Sequence, residues 1–256
     1  MAQITQPQLV AFVNSKDGLT SATRADFTKF PNPAGSGTIS VTDLSGLDFS
    51  YLNMLSANNG NGVNLSNTRW VGTTVNNIAF NGDSTNLNNY NGAYFEKVNG
   101  NSPYFGIQPN FNYSNFNNAT FKDCNLSNGA FSYCTFTAAS MKNCDFSKTF
   151  FNSTLLELMT IESCNFTGST IQTNARLNGL TVINCDFTDV GFAAIFTSVT
   201  FINCNFTDSR FSFNTTTPNQ TIQFDNCVFE QVVFNRVSSV TLTFLPNCNV
   251  GKTLFF

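Results

Sequence analysis

A five-residue step runs through this chain, and few folds can accommodate it. Starting at Phe111 and moving by five, the sequence passes through Phe116, Phe121, Leu126, Phe131, Phe136, Met141, Phe146, Phe151, Leu156, Ile161, Phe166 and Ile171, all apolar. An amphipathic helix repeats every 3.6 residues and a half-buried strand every two, so neither produces this walk. It slips by a residue and resumes at Val182, Phe187 and Phe192, then at Phe201, Phe206 and Phe211, and finally through Phe224, Phe229, Phe234 and Phe244. A weaker form precedes it: Leu44, Phe49 and Met54, then Leu65, Trp70, Val75 and Phe80, then Tyr90 and Phe95. A fixed period sustained this far is the mark of a repeat architecture.

The residues around each apolar position repeat as well. Two positions earlier the residue is small, and between the two stands Asn or Asp. Cys124-Asn125-Leu126, Cys144-Asp145-Phe146, Cys164-Asn165-Phe166, Cys185-Asp186-Phe187 and Cys204-Asn205-Phe206 show the unit best. This pattern resembles the pentapeptide-repeat family, over about residues 41–245. The resemblance implies an all-β fold, a right-handed parallel β-solenoid with four five-residue faces, about 20 residues per coil and roughly ten coils. The cysteines test the coil length independently. Cys124, Cys144, Cys164, Cys185, Cys204, Cys227 and Cys248 recur at a near-constant interval, twenty in the first two steps and close to it in the rest. That is one cysteine per coil on one face. Cys134 falls two faces round, on the opposite wall.

The expected core is the ladder Phe111, Phe116, Phe121, Phe131, Phe136, Phe146, Phe151, Phe166, Phe187, Phe206 and Phe229. Each buried ring contributes on the order of 1.5 to 3 kcal/mol. The seven stacked cysteines read as buried thiols in slots for a small residue, because Cys is among the most buried residue types. Paired short spacings such as Cys-x2-Cys, which a metal site requires, do not occur. Outside the core, Ser127, Ser147, Thr167, Thr188 and Thr207 form a hydroxyl column. It reads as a polar ladder supporting turns, or as a flat recognition face.

Three segments follow: a non-repeat arm with its linker at 1–40, the solenoid at 41–245, and a cap or contact segment at 246–256. In the arm, Thr5 and Pro7 could open a short helix carrying Leu9, Val10, Phe12 and Val13 on an apolar side. Pro31 to Gly37 reads as a linker. Leu9, Val10, Phe12 and Val13 at one end, and Leu254, Phe255 and Phe256 at the other, are the candidate partner contacts. Each group serves either as a cap on a terminal coil or as a docking surface, for a protein partner or a second copy.

Chemistry is sparse. The chain has no histidine, which removes the commonest general base and the Ser-His-Asp and Cys-His arrangements. No phosphate-binding loop and no carboxylate pair with sugar-gripping aromatics stand out, so neither enzyme activity nor a cofactor is expected. The chain carries 12 basic and 15 acidic residues, without the basic footprint of a nucleic-acid binder. No run of about 18 apolar residues suggests a membrane span, and the opening residues do not read as a secretory signal. The function expected is that of a structural protein of a virus or phage particle: a capsid cement, decoration or attachment component, assembled in the host cytoplasm. The alternatives are a DNA mimic acting on a type II topoisomerase, a role the resemblance brings with it, and a cytoplasmic scaffold. Mimicry needs regularly spaced negative charge, and from residue 111 onward nine acidic residues face seven basic ones.

Overall fold

The computed structural model describes residues 4–14, 30–32, 34–50, 65–75, 87–100 and 109–256. Met54, Phe80 and Pro33 of the linker lie outside them. Within the described residues the chain is a parallel β-solenoid. Four walls follow one another at five-residue intervals, so Phe116, Phe121, Leu126 and Phe131 each open a column on a different wall. We number them wall 4 (Phe116, Phe136, Leu156), wall 1 (Phe121, Met141, Ile161), wall 2 (Leu126, Phe146, Phe166) and wall 3 (Phe111, Phe131, Phe151, Ile171).

Wall 1 is the most regular. Among the described residues it holds nine parallel strands, from Arg69–Val71 at the bottom to Val240–Phe244 at the top. Phe95 pairs with Phe121, Phe121 with Met141, Met141 with Ile161 and Ile161 with Val182. The solenoid completes about eight turns, and a bridge from Asp43 to Arg69 begins a lower level. The step from coil to coil is not uniform. Thr120, Ser140 and Thr160 are paired in turn, each four pentapeptides after the last. Lower down, Asp43, Arg69, Tyr94 and Thr120 are also paired in turn, but every step takes a fifth pentapeptide or one residue more. Four pentapeptides per coil throughout 41–245 would yield ten coils; the lower coils consume more chain per turn, so the rod has fewer.

Each pentapeptide position has a physical task. The ladder residues point inward and stack on the same position one coil away: Phe116 on Phe136 at 5.0 Å, Phe131 on Phe151 at 5.4 Å, Phe146 on Phe166 at 5.4 Å and Phe187 on Phe206 at 5.3 Å between centroids. Rings on adjacent walls meet edge-on, as Phe146 does with Phe131 at 74°. Offset stacks and edge contacts are the arrangements that the ring quadrupole favours. Asn or Asp just before the inward residue accepts a hydrogen bond from the amide two residues on. Asp145 accepts from Ser147 at 2.9 Å, Asn165 from Thr167 at 2.9 Å and Asp186 from Thr188 at 2.9 Å.

The corner falls two residues after the inward side chain, and there the backbone is left-handed. Asn118, Asp123, Asn128, Tyr133, Ala138, Asn143, Lys148, Ser153, Leu158 and Ser163 follow at five-residue steps, with φ between 51° and 61°. Asn and Asp tolerate this region, while Leu158 and Lys148 occupy it because the fold compels them. Each corner amide bonds a carbonyl of the next coil: Asp123 to Lys142 at 3.0 Å, Lys148 to Thr167 at 2.8 Å and Leu158 to Asn178 at 2.8 Å.

The lower end is covered. Helix α1 (Gln6–Asn14) starts at Thr5, whose amide and hydroxyl both donate to the Gln8 side chain, as in a capping box. Leu9, Phe12 and Val13 are buried with Ile4 in the same core as Val41, Leu44 and Phe49, and Val10 is half-buried. The Gln6 side chain clamps the bottom coil, donating to the Asp48 carbonyl and accepting from its amide. This corrects the reading of Leu9, Phe12 and Val13 as partner contacts: their side chains are spent on the lowest coil, which would otherwise expose apolar surface. The expected linker is partly ordered too, since Phe30–Pro31 pairs antiparallel with Thr38–Ile39.

Candidate functional site

The thiol column runs up wall 2. Cys124, Cys144, Cys164, Cys185, Cys204 and Cys227 are buried, Cys248 is half-buried, Cys134 is buried on wall 4, and all are free. Each sulfur finds main-chain partners: the Cys144 thiol donates to the Lys142 carbonyl at 3.2 Å, and the Cys144 amide donates to the Cys164 sulfur at 3.4 Å. The Cys124 thiol below Cys144 draws its pKa down, but the Cys164 thiol and burial outweigh that and push it up to about 12. Cys164, Cys185 and Cys204 reach about 12 in the same way, each drawn down by one neighbouring thiol and pushed up by the other and by burial. Burial pushes Cys134 up further. Nucleophilic attack and metal binding both need the thiolate, which Cys134, Cys144, Cys164, Cys185 and Cys204 yield only in strong alkali, whereas the Cys204 thiol draws Cys227 down. Among the described residues no trio of Cys, Asp or Glu could hold a metal ion.

The outer polar columns are engaged with themselves. The hydroxyls of Ser127, Thr188 and Thr207 turn back to Asn125, Asp186 and Asn205 at 3.0, 2.6 and 2.8 Å. Asn165 and Asn205 reach down to Asp145 and Asp186 at 3.2 and 3.3 Å. This is a ladder that braces turns, and three of the five column hydroxyls are turned back onto it. On wall 1, Lys122 pairs with Glu96 at 2.8 Å and Lys142 with Glu162 at 2.9 Å. Hydrogen bonds from Lys122 and Tyr94 hold the Glu96 carboxyl below its usual range.

The upper end differs from all of this. Val250, Leu254, Phe255 and Phe256 are exposed, the last by 67%. Phe255 stacks on Phe234 at 5.1 Å and Phe244 on Phe224 at 5.1 Å, each continuing an inward column. Their upper faces meet no further coil among the described residues, and the strands Val240–Phe244 and Leu254–Phe255 are the outermost of their sheets. Phe111, Phe116, Phe121, Phe131, Phe136, Phe146, Phe151, Phe166, Phe187, Phe206 and Phe229 are all buried. Of the residues singled out for contact, then, Leu254, Phe255 and Phe256 form one exposed surface and Leu9, Phe12 and Val13 do not.

One edge of the rod escaped sequence reasoning. Where wall 3 turns into wall 4, neighbouring clefts of about 720, 330 and 380 Å³ open near the top. The slips in the five-residue walk after Ile171 and Phe192 were the available signal, since both fall at this edge.

Residues 121–157 match the family model for pentapeptide repeats, with eight copies. No curated protein sequence matches the chain significantly. Among solved structures, a trypsin-treated form of QnrB1, a plasmid-mediated fluoroquinolone resistance protein, is 14% identical. That match covers 83% of this chain and 92% of the other, with a TM-score of 0.40. HetL, a pentapeptide-repeat protein involved in heterocyst differentiation regulation in the cyanobacterium Nostoc, is 10% identical over 82% of this chain and 81% of its own, with a TM-score of 0.35. The matched segment is one stretch of a five-residue geometry that continues coil upon coil on both sides of it. Residues 121–157 are thus pentapeptide repeats, and the described coils on both sides share their five-residue geometry.

Proposed function

We propose that the protein is a non-enzymatic rod acting through protein–protein contact, with its open upper coil as the contact surface. The observation that carries this is the asymmetry of the two ends. The lower coil is closed by α1 and the Gln6 clamp, whereas the upper coil presents Leu254, Phe255, Phe256 and two strand edges that no described residue pairs. Exposed edges and apolar end faces are what a solenoid ordinarily covers, and no described residue covers this one, which supports a contact there. The setting we favour is a virus or phage particle, where a rigid, nearly neutral rod serves as a decoration, cement or attachment component.

The contact surface is tested by co-sedimentation with particles purified from the source, comparing the full chain with Leu254→Ser/Phe256→Ser. Sedimentation of the full chain and loss with the variant supports the reading; equal sedimentation of both moves the contact elsewhere on the rod. A topoisomerase supercoiling assay addresses DNA mimicry. The Lys122–Glu96 and Lys142–Glu162 pairs, which neutralise acidic groups along wall 1, speak against inhibition.

A further inference from the structure

The clefts at the edge between walls 3 and 4 lie where the repeat is broken on consecutive coils. Phe151 to Leu156 is the regular pentapeptide. In the next coil Ile171 to Leu177 takes one residue more, with a register shift between Ile171 and Ala175, and above it Phe192 to Phe196 takes one fewer. In the coil after that, residues 214–219 leave the wall as a loop. The loop is held by the buried Gln220, whose side-chain amide donates to the carbonyls of Asn214, Thr217 and Ser239. Its Oε1 accepts from the Phe196 amide at 3.3 Å. At this edge the corners part, and the small outward side chains of Ala193 and Ser212 form the floor between them.

The lining has a definite chemistry. It offers the amides of Gln172, Asn174, Asn214 and Asn235, several hydroxyls, and the ring of Phe256 at the rim. Among the described residues its one charged side chain is Arg236, and no Asp or Glu lines any of the three clefts. The ion pairs of the described residues are made by Lys122 and Lys142, so the Arg236 guanidinium has no acidic partner among them. Arg236 also sits at φ 62°, capping a 3-10 turn at Val237–Ser239, a conformation that costs a non-glycine residue free energy. The main chain there is pinned by the Phe213 amide on the Asn235 carbonyl and by the Val237 amide on an oxygen of the Phe256 carboxylate, which makes no ion pair with Arg236. A cation without a partner beside amides, hydroxyls and one exposed ring suits a ligand with many hydroxyls, an apolar C–H face and one carboxylate. Guanidinium and carboxylate match as a bidentate pair, and clefts of this size hold one to a few sugar rings.

We propose that this cleft binds a saccharide carrying a carboxylate, of the uronic or sialic acid type, with Arg236 on the carboxylate and the surrounding amides on the hydroxyls. This assignment is independent of the contact surface at the upper coil, with which the cleft shares only Phe256. Ligand-observed NMR titration of the full chain tests it, with glucuronic acid and N-acetylneuraminic acid as probes and glucose and acetate as controls. One of the acids should bind at least about ten-fold more tightly than either control, the size of one well-placed charged contact. Arg236→Asn, a residue that accepts φ 62°, should lower that affinity about ten-fold with an unchanged melting curve and unchanged particle co-sedimentation. Ala193→Leu, which fills the floor from an outward position, should abolish binding. The proposal is overturned if neither acid binds, if glucose or acetate binds as well as the acids, if a peptide carboxylate competes more strongly than the sugar, or if both variants bind as the parent does.

Discussion

Replacing an ordinary residue by glycine usually destabilises a protein, and at the corners of this solenoid the sign should reverse. Leu158 is the cleanest case. Its φ is 51° and its side chain is 66% exposed, lying over Gly179 of the next coil, where an added Cβ would come within 2.8 Å of the Leu158 Cδ2. An L-residue in the left-handed region costs about 1–2 kcal/mol, and the extra backbone entropy of glycine costs about 0.5–1 kcal/mol. Little packing is lost from so exposed a side chain, so Leu158→Gly should stabilise the coil by about 0.5 kcal/mol. The corner bond from residue 158 to the Asn178 carbonyl uses only the main chain and survives the change. Leu158→Val should move the other way by at least about 1 kcal/mol, because a β-branched residue is a true outlier at positive φ. Urea unfolding of the three proteins, compared by midpoint at constant slope, measures the order. If glycine proves the least stable of the three, or valine equals leucine, the corners do not carry strain and this account of the repeat is wrong.

The thiol column should govern alkaline stability. Cys144, Cys164, Cys185 and Cys204 hold their protons to about pH 12, while the same thiols in the unfolded chain ionise near 9.0. Over that window the folded state binds more protons, so stability should fall as pH rises, by up to about 1.4 kcal/mol per pH unit per group. Converting the four to Ala should flatten the slope of a urea midpoint against pH. Alkylation at mildly alkaline pH, followed by mass spectrometry, should label Cys248 first and leave Cys144, Cys164, Cys185 and Cys204 untouched until urea is added; labelling of Cys144 at the rate of a free peptide would contradict its burial. Gln6→Ala removes two bonds to Asp48 and should loosen α1 by about 1–3 kcal/mol, read as faster hydrogen exchange at Leu9 with no change at Phe146. Phe146→Ala, which empties a ring in contact with Phe131, Phe151 and Phe166, should cost about 3–5 kcal/mol by urea unfolding.

The solenoid was legible because its signal is linear. Phe111, Phe116 and Phe121 announce their walls by spacing alone, and the cysteine column repeats the coil length in a second residue type. The corners were legible only in part. Asn118, Asp123 and Asn128 are suited to a left-handed backbone, yet Ala138, Lys148 and Leu158 stand in equivalent places without that chemistry. Nothing local marks Lys148 as a corner, yet its φ of 56° makes it sensitive to β-branching. The role of α1 was hidden for another reason: the Gln6–Asp48 clamp joins two distant parts of the chain, and no local pattern encodes it. The cleft was hidden because it arises from breaks in the repeat, and breaks register in a periodic reading only as slips after Ile171 and Phe192.

The corner bonds have a consequence for how such a rod can change in length. Each coil is held to its neighbour by main-chain groups, and the side chains that matter recur at the same place every turn. Between Thr120 and Thr160 the recurrence is a strict four pentapeptides. Duplicating one such block would set a new coil on the old pattern, keep the thiol column in line and lengthen the rod by ~4.8 Å. An insertion of another size is absorbed by a shift of register, as between Ile171 and Ala175, or leaves the wall as a loop, as residues 214–219 do. The rod is in effect graduated: the distance between its closed foot and its open head can be altered only by whole divisions of the scale.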